Sequence, residues 1–221
     1  MGGMECLIGI QCDSFTILAH DNFAGRSILA MKQDQDKLFK LDDNVGIVVC
    51  GEAGDTVYFG EYVQKNIALY RTRNGYSLSI ESTAHFTRNE LAESLRSRRP
   101  FVVNLLLGGF DSKESKSYLY WMDYLGTLGT VPYGAQGYGS NFVLGLLDRY
   151  HRSNMTVAEG VELLEKCVKE IQKRLIINLP SFSYYVIDSN GFSEKRTITA
   201  SAGSGEGAVP SSSVSEVAMM S

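Results

Sequence analysis

Long apolar runs are missing from this 221-residue sequence: the longest, at 45–50 and 142–147, fall far short of the roughly 20 residues that a membrane-spanning helix needs. The formal net charge of -4 is spread without long same-sign runs, so neither nucleic acid nor an anionic membrane is expected as a partner. The opening residues, Met1-Gly2-Gly3-Met4-Glu5, have no basic region followed by an apolar one, so the pattern of a secretory signal is absent and the cytoplasm and nucleus are the expected location. Cysteine is sparse and scattered. Cys6, Cys12, Cys50 and Cys167 show neither Cys-x-x-Cys spacing nor a nearby histidine, which argues for buried thiols in a reducing compartment and against a zinc site. No metal or cofactor is expected.

What is present suits a globular chain: 44% hydrophobic and 21% charged residues are enough to build a core, and the length fits one domain. Residues 7–12 and 15–21 are short apolar and β-branched runs around Asp13-Ser14, a strand hairpin. Residues 37–41 and 45–50 form a second hairpin around Asp42-Asp43-Asn44, its second strand apolar throughout and so buried on both faces. From 55 to 72 the spacing turns helical, with Val63, Ile67 and Tyr70 on one face and Asn74-Gly75 closing the segment. Thr87-Arg88-Asn89-Glu90 reads as a capping box opening a second helix, which ends near Arg96 to Arg99, before Pro100.

Strands are expected at 101–107, 118–122 and 130–133, with Gly108-Gly109 and Asp111-Ser112 as turns. A helix over 141–150 follows, then another opened by the capping box Thr156-Val157-Ala158-Glu159. Its apolar stripe is Val157, Val161, Leu164, Val168, Ile171 and Leu175. Residues 183–188 and 192–198 make a closing hairpin around Ser189-Asn190-Gly191, whose Asn-Gly pair suits positive φ angles. The Ser/Gly/Ala-rich remainder, 199–221, reads as a flexible tail behind a domain spanning 4–198. Because helices come in pairs between groups of strands, the expected class is α+β, a four-layer α-β-β-α sandwich of antiparallel sheets rather than a doubly wound parallel sheet.

Leu7-Ile8-Gly9-Ile10, Ile17-Leu18-Ala19-His20-Asp21, Lys37 and Cys50-Gly51-Glu52-Ala53-Gly54-Asp55 together resemble the proteasome beta subunits, members of the N-terminal nucleophile hydrolases. Sixteen positions separate Asp21 from Lys37 and fourteen separate Lys37 from Gly51, intervals that match the family. The likeness continues through Gly134-Ala135-Gln136-Gly137-Tyr138-Gly139-Ser140 and Ser183-Tyr184-Tyr185-Val186-Ile187-Asp188, and covers about residues 4–198. Gly51-Glu52-Ala53-Gly54-Asp55-Thr56-Val57 and Met122-Asp123-Tyr124-Leu125 are similar to a noncatalytic member.

The resemblance implies hydrolysis by an N-terminal threonine, whose hydroxyl attacks while its free amine acts as base. Counting back from Asp21 and Lys37 puts Glu5, give or take one residue, at that position, and the nearest threonine is Thr16. The active members' serine between two glycines is Tyr138 here, and their aspartate after the long helix is lost in Lys173-Arg174-Leu175-Ile176-Ile177. The catalytic set is thus empty, with Asp21, Lys37 and Gly51 as vestigial positions. Lys37 and Asp21 are read as a structural ion pair or as remnants of the chemistry, and Gly51 as the residue of a sharp strand-to-helix turn. The implied role is a structural subunit of the 20S core particle. Its partners would be beta subunits of the same and the opposite ring and alpha-ring subunits, in a hetero-oligomer. The alternative is a peptidase using Cys6 after processing. A triad built on His20 and Asp21 is disfavoured because neighbours on a strand point to opposite faces; Gly203-Ser204-Gly205-Glu206-Gly207 reads as linker, and 32–40 as solvated surface.

Overall fold

The protein is described by a computed structural model over residues 5–26 and 29–199. The chain opens with β1 (Cys6–Gln11) and β2 (Thr16–Asp21), followed by a short hairpin, β3 (Ala24–Arg26) and β4 (Leu29–Lys32), then β5 (Leu38–Asp42) and β6 (Val45–Gly51). Helices α1 (Ala53–Asn74) and α2 (Ile80–Ser94) lead into β7 (Val103–Asp111), β8 (Lys116–Met122), β9 (Leu128–Thr130) and β10 (Tyr133–Gly137). After α3 (Ser140–Tyr150) and α4 (Val157–Arg174) come β11 (Ser181–Asp188), β12 (Gly191–Phe192) and β13 (Arg196–Thr199). One sheet has the order β10-β1-β2-β11-β12, with β13 also on β11, and the other β5-β6-β7-β8-β9. The strand pairs are antiparallel.

Alternation along the strands builds the layers, because successive side chains leave a strand on opposite faces. Cys6, Ile8, Ile10, Ile17 and Ala19 share a core with Val143, Leu164, Val168 and Ile171 of α3 and α4. The intervening Leu7 and Leu18 meet Val48, Cys50, Leu106 and Leu119 between the sheets. Ile47, Val49, Leu105 and Leu107 turn the other way, to Phe59, Val63, Ala84 and Leu91 of α1 and α2. Three apolar seams joining four layers are the expected α-β-β-α sandwich.

Several local expectations give way. Helix α2 starts at Ser79, whose side chain accepts the Ser82 amide; Thr87 lies buried in mid-helix with its hydroxyl on the Thr83 carbonyl, 2.8 Å. Gly108 and Gly109 are no turn but part of β7, where a side chain on Gly108 would strike Thr16 and Leu18 of the facing sheet. The piece at 130–133 is the crossing between sheets: β9 ends one, β10 begins the other, and the Pro132 carbonyl between them accepts the Gln11 amide at 2.9 Å. The run 192–198 breaks at Ser193, which takes both hydrogen bonds to the Val186 backbone. In the closing turn the positive φ belongs to Gly191 and not to Asn190. The expected stripe of α4 is rotated: Val157 is exposed, while Leu163 and Cys167 are buried. Thr199 pairs with Ser181 in β13, one residue past the expected domain end. The rest of the tail and the glycine-rich Gly203 to Gly207 stretch lie outside the described residues. No helix among the described residues is long and apolar enough to cross a membrane.

Candidate functional site

The antiparallel register that sets Leu7 opposite His20 brings the start of β1 to the end of β2. There the Cys6 amide donates to Asp21 Oδ2 at 2.7 Å, and the Phe23 amide to Asp21 Oδ1 at 2.9 Å. Lys37, just before β5, is only 5% exposed; its ammonium reaches both Asp21 oxygens, at 2.9 and 3.0 Å. The fully buried Asp21 carboxylate is thus held by two amides and a cation, which offsets the cost of burying it.

Gly51 closes β6 with φ +146°, and a Cβ there would lie 2.0 Å from the Val102 carbonyl oxygen. No side chain fits, and the bare backbone turns its N–H inward. That N–H donates to Glu5 Oε2 at 2.8 Å, while Glu5 Oε1 sits 2.9 Å from Lys37 Nζ. Glu5 therefore bridges two of the three positions singled out from spacing and joins all three through Lys37. Burial works against the Lys37 charge, but Asp21 and Glu5 outweigh it and raise its pKa above the ordinary value.

A cleft of about 290 Å³ opens over this group, lined by Glu5, Cys50, Gly51, Asn104, Gly137, Tyr138 and Asn141. Its wall is tight: a Cβ on Gly137, at φ +77°, would come within 2.1 Å of the Glu5 carbonyl oxygen, and one on Gly139 within 2.1 Å of Cys6 Sγ. Tyr138, between them, stands half-exposed at the rim. Beyond α4, where the active members' aspartate would stand, Leu175 and Ile177 pack on the core and Ile176 is 97% exposed.

Cys6 does not face the cleft. Its side chain lies in the core under α3 and α4, burial pushes the thiol pKa well above its ordinary value, and its amide is committed to Asp21. Burial and the Asp21 charge outweigh what Lys37 does to favour the thiolate, unlike the exposed, cation-assisted surroundings that activate one. Cys12, Cys50 and Cys167 are likewise buried free thiols.

The segment 32–40 is less solvated than its sequence implies. Besides Lys37, it supplies Asp36, which ties three parts of the chain together. Its carboxylate lies 3.1 Å from His20 Nε2, accepts the Tyr185 hydroxyl at 3.1 Å and Lys195 Nζ at 2.8 Å, and receives the Leu38 amide at 3.1 Å. Partial burial disfavours its charge, yet hydrogen bonds from His20 and Lys195 and the Leu38 amide hold Asp36 well below the usual carboxylate range. His20 turns Nδ1 to the Asp21 carbonyl, at 2.9 Å, rather than to a carboxylate-serine pair, so no triad forms. Sequence reasoning missed this junction and the reach of Glu5. The signal for the first was the alternation that sends Asp36 and Lys37 to different neighbours.

Comparison with known proteins bears on the same residues. The family described as "Proteasome subunit" matches residues 2–187. Proteasome subunit beta type-2-B of Arabidopsis thaliana is 47% identical over 191 residues, covering 86% of this chain and 95% of that protein. Proteasome subunit beta type-4 of Saccharomyces cerevisiae is 43% identical over 188 residues, 85% of this chain and 95% of its own length. Proteasome subunit beta type-2 of Oryza sativa subsp. japonica is 44% identical over 191 residues, covering 86% and 89%.

Proposed function

Because the chain belongs to the proteasome subunit family, among its beta-type members, we propose that it builds the wall of the proteolytic chamber of the 20S core particle without cutting peptides itself. The observation that supports this most is Glu5. In an active member the position that it takes would carry the threonine hydroxyl and free amine, and the N–H of the residue at Gly51 would stabilise the developing oxyanion. Here a carboxylate fills the place, accepting that N–H at 2.8 Å and pairing with Lys37 at 2.9 Å. A carboxylate on the oxyanion donor excludes the very charge that the donor would serve. Asp21, Lys37 and Gly51 then hold structure, with no catalytic role.

Assembly with other proteasome subunits follows from the family. The finer partners in this reading are two beta neighbours in the ring, a beta subunit of the opposite ring and alpha subunits of the adjoining one, in the cytoplasm and nucleus. Closed rings use heterologous contacts, a different face on each side. One domain over 4–198, extended by the pairing of Thr199, carries these contacts ahead of the tail.

Core particles containing the tagged chain should be treated with a mechanism-based inhibitor of N-terminal threonine and the subunits weighed intact. This chain is expected at its unmodified mass, while catalytic neighbours in the same particle gain the inhibitor. An adduct at the amino end of this chain would overturn the proposal.

A further inference from the structure

The strap between β4 and β5, residues 33–37, is anchored by a fully buried histidine that faces two acceptors. His20 Nδ1 lies 2.9 Å from the Asp21 carbonyl, which can only accept, so Nδ1 carries a proton. On the other side of the ring, Nε2 lies 3.1 Å from Asp36 Oδ1 and has no hydrogen-bond partner besides. A neutral ring protonated on Nδ1 would turn its Nε2 lone pair onto a carboxylate. Both nitrogens therefore carry protons, and Asp36 balances the charge of the buried imidazolium.

Few groups compete for this proton. On the strap stand Asp36 and Lys37; on β11 stands Tyr185, its hydroxyl 3.1 Å from Asp36 Oδ2; beyond β12 stands Lys195, 2.8 Å from the same oxygen. Asp21, next along β2, spends its carboxylate on Lys37 and two amides, and Leu7, opposite on β1, is apolar. Despite partial burial, His20 and Lys195 hold the Asp36 carboxyl well below the usual carboxylate range, while burial and Asp36 push the Tyr185 hydroxyl up. Of these residue types only histidine ordinarily changes charge near neutral pH. A second resting place for the ring is at hand. Ser183 stands opposite His20 in the β2–β11 register, and its hydroxyl is fully buried without a hydrogen-bond partner. Cross-strand neighbours have Cβ atoms about 4.5–5.5 Å apart, so a neutral ring can accept the Ser183 proton at Nε2, whereas an imidazolium cannot.

We infer that His20 is a proton-operated latch on the strap: protonated, it holds Asp36, and neutral, it turns to Ser183 and loosens the strap. Asp36 adjoins Lys37, whose ammonium reaches Glu5 and Asp21 beneath the cleft, so the latch governs how firmly that ion group is held. The pair exists only while the second proton is present. The strap is therefore tight on the acid side and loosens as pH rises.

Hydrogen exchange of the full chain in core particles, read by mass spectrometry on the peptide over 33–38 with labelling times scaled to the intrinsic rate at each pH, tests this. The Gln35 amide donates to the Asn22 carbonyl at 2.9 Å and the Leu38 amide to Asp36 Oδ1 at 3.1 Å. Their protection should fall about tenfold, the weight of one hydrogen bond to a charged group, between about pH 5 and 8, where histidine titrates. His20→Gln should give low protection with no pH dependence. Asp36→Asn, at a half-exposed position, supplies the same comparison if the first variant does not assemble. Lys195→Met should lower protection at every pH and keep the slope. A flat wild-type profile, equal slopes in wild type and His20→Gln, or loss of the slope in Lys195→Met would overturn the inference.

Discussion

Lys37 is the single cation facing two carboxylates, Asp21 and Glu5, in the group at the start of β1. Its replacement by methionine leaves Asp21 buried against two amides alone, and breaking such a pair costs about 3–5 kcal/mol. Thermal or denaturant unfolding of Lys37→Met should show that loss. The same group sets a pH dependence. The folded chain keeps a proton on Lys37 that the unfolded chain gives up near its ordinary pKa of 10.5. This contribution is therefore whole below about pH 10.5 and fades as pH rises through the higher folded value. Wild type should lose melting temperature more steeply than Lys37→Met above about pH 10; parallel curves would remove Lys37 from the account. Asp21, Lys37 and Gly51 were legible through the resemblance to the proteasome beta subunits, whose intervals they match. The conformation of Glu5 was not, since a side chain's reach across 46 residues of sequence to the Gly51 amide leaves no periodic trace.

Among the elements, α4 shows how far patterns carry. Its capping box forms as read, with Thr156 Oγ1 accepting the Glu159 amide and the Glu159 carboxylate accepting the Thr156 amide. Helix α2 misled because Thr87-Arg88-Asn89-Glu90 has the same letters, while its real cap, Ser79, precedes a less conspicuous run. The competing fact was tertiary: the buried Thr83 and Thr87 lie on the face that α2 turns inward, which no local pattern reveals. Gly108-Gly109 failed for a related reason, as the glycines serve close approach between sheets rather than a turn. Val168 offers a test of the α4 seam. It is fully buried among Cys6, Ile8 and Ile171 in the layer between α4 and the first sheet. Val168→Asp puts a carboxylate there without a partner, which should cost several kcal/mol and abolish entry into particles. Sedimentation of cell extract with blotting for the chain would show it; a variant that still sediments with the particle would mean the seam is misassigned.

For the whole molecule the balance lies between what the fold buries and what it leaves for neighbours. The three apolar seams are closed within the chain. Yet Met31, Leu29, Tyr58, Tyr76 and Ile176 are each more than 60% exposed, and they come from β4, both ends of the α1 region and the loop after α4. Single exposed apolar residues are ordinary, but large ones on several separate elements fit a subunit that touches neighbours on more than one side. Contacts in permanent complexes often bury on the order of 2,000–5,000 Å² each, so the isolated chain should present unmet apolar surface in solution. Expressed alone, it is expected to bind a hydrophobic dye and to associate as concentration rises, both by light scattering and by fluorescence. Inside the particle the dye signal per chain should fall. Because the seams are internally complete, circular dichroism of the isolated chain should nonetheless report the full α+β content, separating exposed docking surface from incomplete folding. A monodisperse monomer that ignores the dye would mean that these side chains are surface ornament and that the faces that meet other proteasome subunits lie elsewhere on the molecule.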